Sequence, residues 1–176
     1  MTRHSALQTI RDEHASLAAM LQSMRLMVQK GPGDNRRQFF DVLRGMLFYI
    51  DEFPERLHHP KESNLLFPKV VKLAPKVMGA VDKLERDHMR SEKAARDLQH
   101  LLLAWDLLGP SRRTEFEEAI GQYIDAYLEH MNLEENVILP EAERCFSDED
   151  WRLLNEAFAE NADPLTGHYR PAEAYE

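Results

Sequence analysis

Residues 58–68 read HHPKESNLLFP and align without a gap on HMNLEENVILP at residues 130–140. Both copies contain a histidine, a glutamate four residues later, an asparagine two residues after that, three apolar residues and a proline. Each copy follows another histidine, His14 or His88, at a similar distance along the chain. A duplication of this length is typical of one helix pair per repeat. The chain is therefore expected to bring four histidines and two glutamates together.

The composition restricts the class of protein. With 176 residues, the chain is long enough for one domain with a substantial core. Its net charge of −9 argues against nucleic acid as a partner. The single cysteine, Cys145, excludes an internal disulfide and fits a reducing compartment. Neither a signal peptide nor an apolar run of the roughly 20 residues that a membrane span needs is found, so we expect a cytoplasmic protein without membrane contact.

Apolar residues recur with helical spacing along most of the chain. This periodicity predicts five helices, over about residues 5–29, 35 to the mid-60s or low 70s, 80–107, 112–139 and 148–161. Pro54, Pro60 and Pro68 are expected to kink or interrupt the second helix. The predicted fold class is all-α, an antiparallel up-down four-helix bundle over residues 1–145. Residues 146–176 would form a short fifth helix and a tail, packed on the bundle or partly disordered.

The repeated pattern predicts a dinuclear metal site inside the bundle. All four histidines are in phase with apolar stripes, and each glutamate lies four residues after a histidine, on the same helix face. Neutral imidazole binds iron, zinc, copper or manganese, and a carboxylate can bridge two metal ions. Taken singly, such a histidine is more often an ordinary core residue, but six residues in one pattern favour metal. The predicted ligands are His14, His58, Glu62, His88, His130 and Glu134.

Over about residues 5–140 the chain resembles the hemerythrin-like (HHE cation-binding) family, through its spaced histidines and its HHPKE run. Members of that family are four-helix bundles with a non-haem di-iron centre. The resemblance implies two non-haem iron ions, with zinc or manganese as alternatives. It assigns His14 and His58 to one ion, His88 and His130 to the other, and Glu62 and Glu134 to bridging positions.

Some ligand positions leave alternatives open. His59 competes with His58, although the repeat alignment favours His58. The family's oxygen carriers have a second histidine on the third helix, where this chain has Glu92, which is a ligand, a partner of a ligand or a solvated residue. They also have an aspartate five residues after the fourth-helix histidine, where this chain has Glu134 after four. A site with four nitrogens and more oxygen ligands favours oxygen chemistry over reversible carriage.

Two side chains near the predicted ligands have an open role. Tyr127 lies one turn before His130 and either bonds to the site or is a core tyrosine. Leu17 follows His14 by almost one turn and either lines a pocket for a diatomic ligand or packs in the core.

The expected function is to bind or react with O₂, NO or a related small ligand, in sensing, detoxification or iron handling. No catalytic residue is assigned, and whether the chain is an enzyme stays open. One alternative is a di-iron oxidase, peroxidase or NO reductase, which would need an external reductant and so a redox partner. Another is a zinc-loaded or metal-free interaction module. In it, Trp151 and Phe158 of the fifth helix would dock a partner or a second copy, giving a homodimer.

Overall fold

The computed structural model describes residues 5–161 and 163–166, which fold into five helices with antiparallel packing. The helices are α1 (Ser5–Lys30), α2 (36–73), α3 (Met78–Leu108), α4 (113–145) and α5 (Asp148–Ala159). The predicted all-α bundle with a short fifth helix is confirmed. Most of the predicted tail lies outside the described residues. Within them, no helix is both long enough and apolar enough to cross a membrane.

Helix α2 continues through its prolines, which were expected to kink or interrupt it. Two of its turns, Asp51–His58 and Glu62–Leu66, are π-helical. The backbone N–H of His59, for example, donates to the carbonyl of Pro54, five residues earlier. Proline lacks an N–H and its ring crowds the carbonyl four residues before it, so a wider turn accommodates the ring with less distortion. The helix thus accommodates its prolines through a change in its backbone hydrogen bonds and is not interrupted.

The repeat extends to the backbone, because α4 contains a π-helical turn, Glu134–Ile138, at the position equivalent to the second π turn of α2. In α2, Asn64 Nδ2 donates to the Pro60 carbonyl at 2.6 Å. In α4, Asn136 Nδ2 donates to the Asn132 carbonyl at 2.8 Å. The recurring asparagines thus bond to backbone carbonyls beside the widened turns. Such turns are frequent at functional sites.

The core consists of two apolar clusters, one toward each end of the bundle. In α1, Ile10 belongs to one cluster and Leu17 to the other, and His14 lies between them. The order is the same in α3 and reversed in α2 and α4, as antiparallel packing requires. The predicted ligands therefore form a polar layer between two apolar layers.

Helix α5 covers one end of the bundle. Its side chains Trp151, Leu154 and Phe158 are at most 2% exposed and belong to the apolar cluster at that end. Ser147 begins the helix with a capping box in which its hydroxyl accepts from the backbone N–H of Asp150. The apolar patch that could have docked a partner is thus buried within the chain.

Candidate metal centre

Seven side chains form two groups, all of them buried between the apolar clusters. The first group comprises His14, His58, Glu62 and Glu134. The second comprises His59, Glu62, His88 and His130. In each group, one ligand atom from every member lies within 4.8 Å of the others. Because Glu62 belongs to both groups, they form one centre with a shared carboxylate.

All six residues predicted as ligands lie in these groups, and each helix of the bundle contributes. Glu62 takes the shared position, whereas Glu134 lies in the first group only. His58 and His59 are not alternatives, since each joins a different group. The centre therefore has five histidines instead of four.

Glu92 lies outside both groups. Its side chain is exposed, and its Oε1 accepts from Arg96 Nη1 at 2.7 Å. Of the three roles left open for it, the structure places it as a solvated residue. His59, and not Glu92, belongs to the second group.

The Nε2 atoms of three histidines, His14, His58 and His88, converge on the two glutamates. His58 Nε2 lies 2.5 Å from Glu62 Oε1, and His88 Nε2 lies 3.3 Å from Glu62 Oε2. On the other side, His14 Nε2 lies 3.5 Å from Glu134 Oε2. The separation between His88 Nε2 and His130 Nε2 is 3.2 Å. Cations placed here would contact nitrogen and oxygen together.

Four of the five histidines direct Nδ1 to a hydrogen-bonding side chain in an outer layer. The contacts are His14 to Glu135 at 2.9 Å, His58 to Glu13 at 2.6 Å, His59 to Glu55 at 3.1 Å and His88 to Ser63 at 3.0 Å. The fifth, His130, has Nδ1 3.8 Å from Asp87 Oδ2, an ion-pair distance. Metal-bound histidines commonly donate their other N–H to such groups, which fixes the tautomer and orients the ring.

The outer layer was not predicted from the sequence. Glu55 precedes His59 by four residues, so the helical spacing could have indicated it. Glu13 is adjacent to a predicted ligand in the sequence, but it bonds to a histidine on another helix. Tyr127, whose role the sequence left open, has its hydroxyl 2.8 Å from His59 Nε2. It therefore bonds to the centre.

Within the described part of the chain, the centre contains buried polar atoms without hydrogen-bond partners. Glu62 and Glu134 are 0% exposed, and none of their four oxygens accepts a hydrogen bond from a described residue. His58 Nε2 also lacks a partner of suitable geometry within the described part of the chain. Burying such groups without hydrogen bonds costs free energy, whereas coordination of a cation satisfies them. Five imidazoles and two carboxylates suit iron, zinc or manganese. The residues therefore fit a dinuclear metal centre.

The comparison with protein families agrees with this geometry. The Hemerythrin HHE cation binding domain matches residues 5–142, most of the chain. The chain belongs to this family. The comparison with curated proteins gave no match. The matched region of this HHE protein contains all seven side chains of the centre, and α5 lies beyond it.

Burial and mutual charge determine the protonation of this HHE centre. Burial, together with the charge of His88, holds the pKa of His59 well below its usual value. Burial also lowers the pKa of His130 to about 4. Both imidazoles are therefore neutral at physiological pH, which is the form that binds metal.

The pKa values of the buried carboxyl groups shift in different directions. Burial raises the pKa of Glu134, and the negative charge of Glu62 raises it further. For His58 and Glu62, burial opposes the charged forms, but their mutual attraction dominates. It raises the pKa of His58 and lowers that of Glu62. In the outer layer, burial raises the pKa of Glu55 to about 7. A bound cation favours ionised carboxylates, because it supplies the opposite charge.

A small cavity of about 20 Å³ adjoins the first group. Such a volume accommodates roughly one water-sized molecule. His14, His58 and Leu17 contribute to its lining. Asn161 and Asp163, which follow α5, line it as well. Leu17 thus lines a pocket of diatomic size while also packing in the core.

Proposed function

We propose that this HHE protein is a dinuclear non-haem iron protein that binds or reacts with O₂, NO or a related small ligand. The observation that carries the proposal is the buried Glu62 carboxylate, shared by two groups of histidines and left without hydrogen bonds from the described residues. Two bound iron ions would supply redox chemistry and a coordination position for the small ligand.

The side chains have separate roles in this proposal. His14 and His58 would hold the first ion and His59, His88 and His130 the second, while Glu62 would contribute to both and Glu134 to the first. The outer carboxylates fix the ring orientations, as the contact between Glu13 and His58 illustrates. These groups orient the ligands before a metal ion arrives, which reduces the cost of forming the site.

The cavity beside the first group supports a diatomic ligand. Its volume of about 20 Å³ excludes most organic molecules, and Leu17, Phe53 and Pro54 give it an apolar wall. A small, weakly hydrated ligand enters such a space at low cost, while a charged one does not. Sensing, detoxification and iron handling are all roles consistent with such a site.

The decisive measurement is the metal content of the chain purified without added metal, together with its absorption spectrum in air, after reduction and after addition of NO. We expect about two iron ions per chain and a spectrum that changes with both reagents. Zinc with no response to NO would favour the interaction module. A folded protein that takes up no metal would contradict the proposal. Sustained turnover with an added reductant would identify an oxidase, peroxidase or reductase.

A further inference from the structure

The second group of the centre opens onto a groove between α3 and α4. The groove has a cavity volume of about 420 Å³, and His59, His88 and His130 form part of its lining. Pockets for organic molecules typically measure about 300–1,000 Å³. O₂ or NO would require only a small part of this space, so its size needs another explanation.

Small side chains keep the groove open. Ala94 on α3 and Ala119 and Ala126 on α4 line it where larger residues would fill the seam between the helices. Leu98 and Leu101 add apolar surface from α3. An apolar ligand body would therefore gain free energy by leaving water for this groove.

Among the described residues that line the groove, one cation is unpaired. Asp87 forms an ion pair with Lys83, with 2.9 Å between Oδ2 and Nζ. Asp97 is likewise paired with Lys93. Arg90 is exposed and, among the described residues, has neither a hydrogen bond nor an ion pair. A guanidinium forms paired hydrogen bonds with a carboxylate, so a free arginine beside an apolar wall selects an organic acid.

We infer that this groove binds a small organic acid, a single carboxylate on an apolar or aromatic body. The carboxylate lies at Arg90, and the body lies against Ala94 and Ala119, directed toward His88. The inference deepens the proposed function by adding an organic ligand at the same centre. Its binding contacts, however, come from the groove and not from a metal ion.

Isothermal titration calorimetry of the full-length purified chain tests the inference, with octanoate as the probe and 1-octanol as its uncharged counterpart. Octanoate is expected to bind more tightly than 1-octanol. Arg90→Gln should weaken octanoate binding about tenfold and leave 1-octanol unchanged, because one charge-assisted contact is lost. Arg86→Gln is the matched control, an exposed arginine on the same helix that does not line the groove. It should leave both affinities unchanged.

Ala119→Phe provides a second variant, because the ring would occupy the groove. It should abolish binding of both probes while circular dichroism shows the helical fold retained. Three results would each overturn the inference. They are equal affinities for octanoate and 1-octanol, equal effects of Arg90→Gln and Arg86→Gln, and unchanged binding in a folded Ala119→Phe variant. If Ala119→Phe does not fold, the exposed Arg90→Gln variant decides alone. Iron analysis of the same samples separates the two proposals. Iron-loaded protein that does not bind octanoate contradicts only this one, and folded protein that takes up no metal but binds octanoate contradicts only the proposed function.

Discussion

Glu13 on α1 contacts His58 on α2, with 2.6 Å between Glu13 Oε2 and His58 Nδ1. Asn161, which follows α5, donates from Nδ2 to both oxygens of the same carboxylate, at 2.9 and 3.1 Å. The C-terminal segment is thereby connected to the centre through one buried carboxylate. Because His58 receives this contact at Nδ1, its Nε2 is directed to Glu62.

Glu13→Gln should weaken metal binding at the first group by about tenfold. The substitution retains an oxygen that accepts a hydrogen bond but removes the charge that makes the imidazole a stronger ligand. Competition with a chelator of known affinity measures the effect. Glu92→Gln is the matched control, because Glu92 is exposed and lies outside both groups. A similar loss in both variants would contradict a specific role for Glu13.

Glu62→Gln and Glu134→Gln should differ in how much metal the protein retains. Glu62 belongs to both groups, so its substitution should lower the occupancy of both positions, whereas Glu134→Gln should affect mainly the first. Iron per chain after exhaustive dialysis, measured by mass spectrometry with circular dichroism as a check on folding, gives the comparison. The assignment of Glu62 as the shared ligand fails if Glu62→Gln retains more iron than Glu134→Gln.

Glu134→Met should stabilise the metal-free protein, by about 1–3 kcal/mol. The carboxyl group is fully buried and accepts no hydrogen bond from the described residues, so its removal relieves a desolvation cost. Urea unfolding in the presence of a chelator measures the change. Glu92→Met, at an exposed position, should stay within about 0.5 kcal/mol of the wild type. In iron-loaded protein the order should reverse, because a ligand is missing. Destabilisation of the metal-free form would show that Glu134 has a structural partner.

The repeat and the helical periodicity predict the bundle and six of the seven side chains that the structure brings together, since both depend on spacing within a single helix. His59 was underestimated for the same reason. A regular stripe with 3.6 residues per turn admits one of two adjacent residues, yet a π-helical turn ends at His58 and both rings face the centre. A widened turn leaves no simple periodic signal in the sequence.

Glu92 shows that a spacing of four residues from a histidine on the same helix is not enough to place a carboxylate at the centre. Four residues along an α-helix rotate the side chain by about 40° from its starting direction. His88 already has 9% of its surface exposed, and this rotation carries Glu92 into solvent. Contacts between helices, such as Glu13 with His58, depend on how far each helix is rotated in the bundle. Spacing along one chain does not determine that rotation.

Trp151→Ala should lower the free energy of unfolding by about 3–5 kcal/mol without changing the oligomeric state. The indole is 2% exposed, and its ring centroid lies 5.2 Å from that of Phe146. Its removal leaves a cavity in the apolar cluster that covers the end of the bundle. Urea unfolding gives the stability, and size-exclusion chromatography with light scattering gives the mass. Leu153→Ala, on the same helix but 50% exposed, should have little effect on either. If Trp151→Ala instead dissociates an oligomer whose subunits keep their stability, α5 forms an interface between chains. A side chain that packs only within one chain cannot change the mass of the assembly without changing the fold.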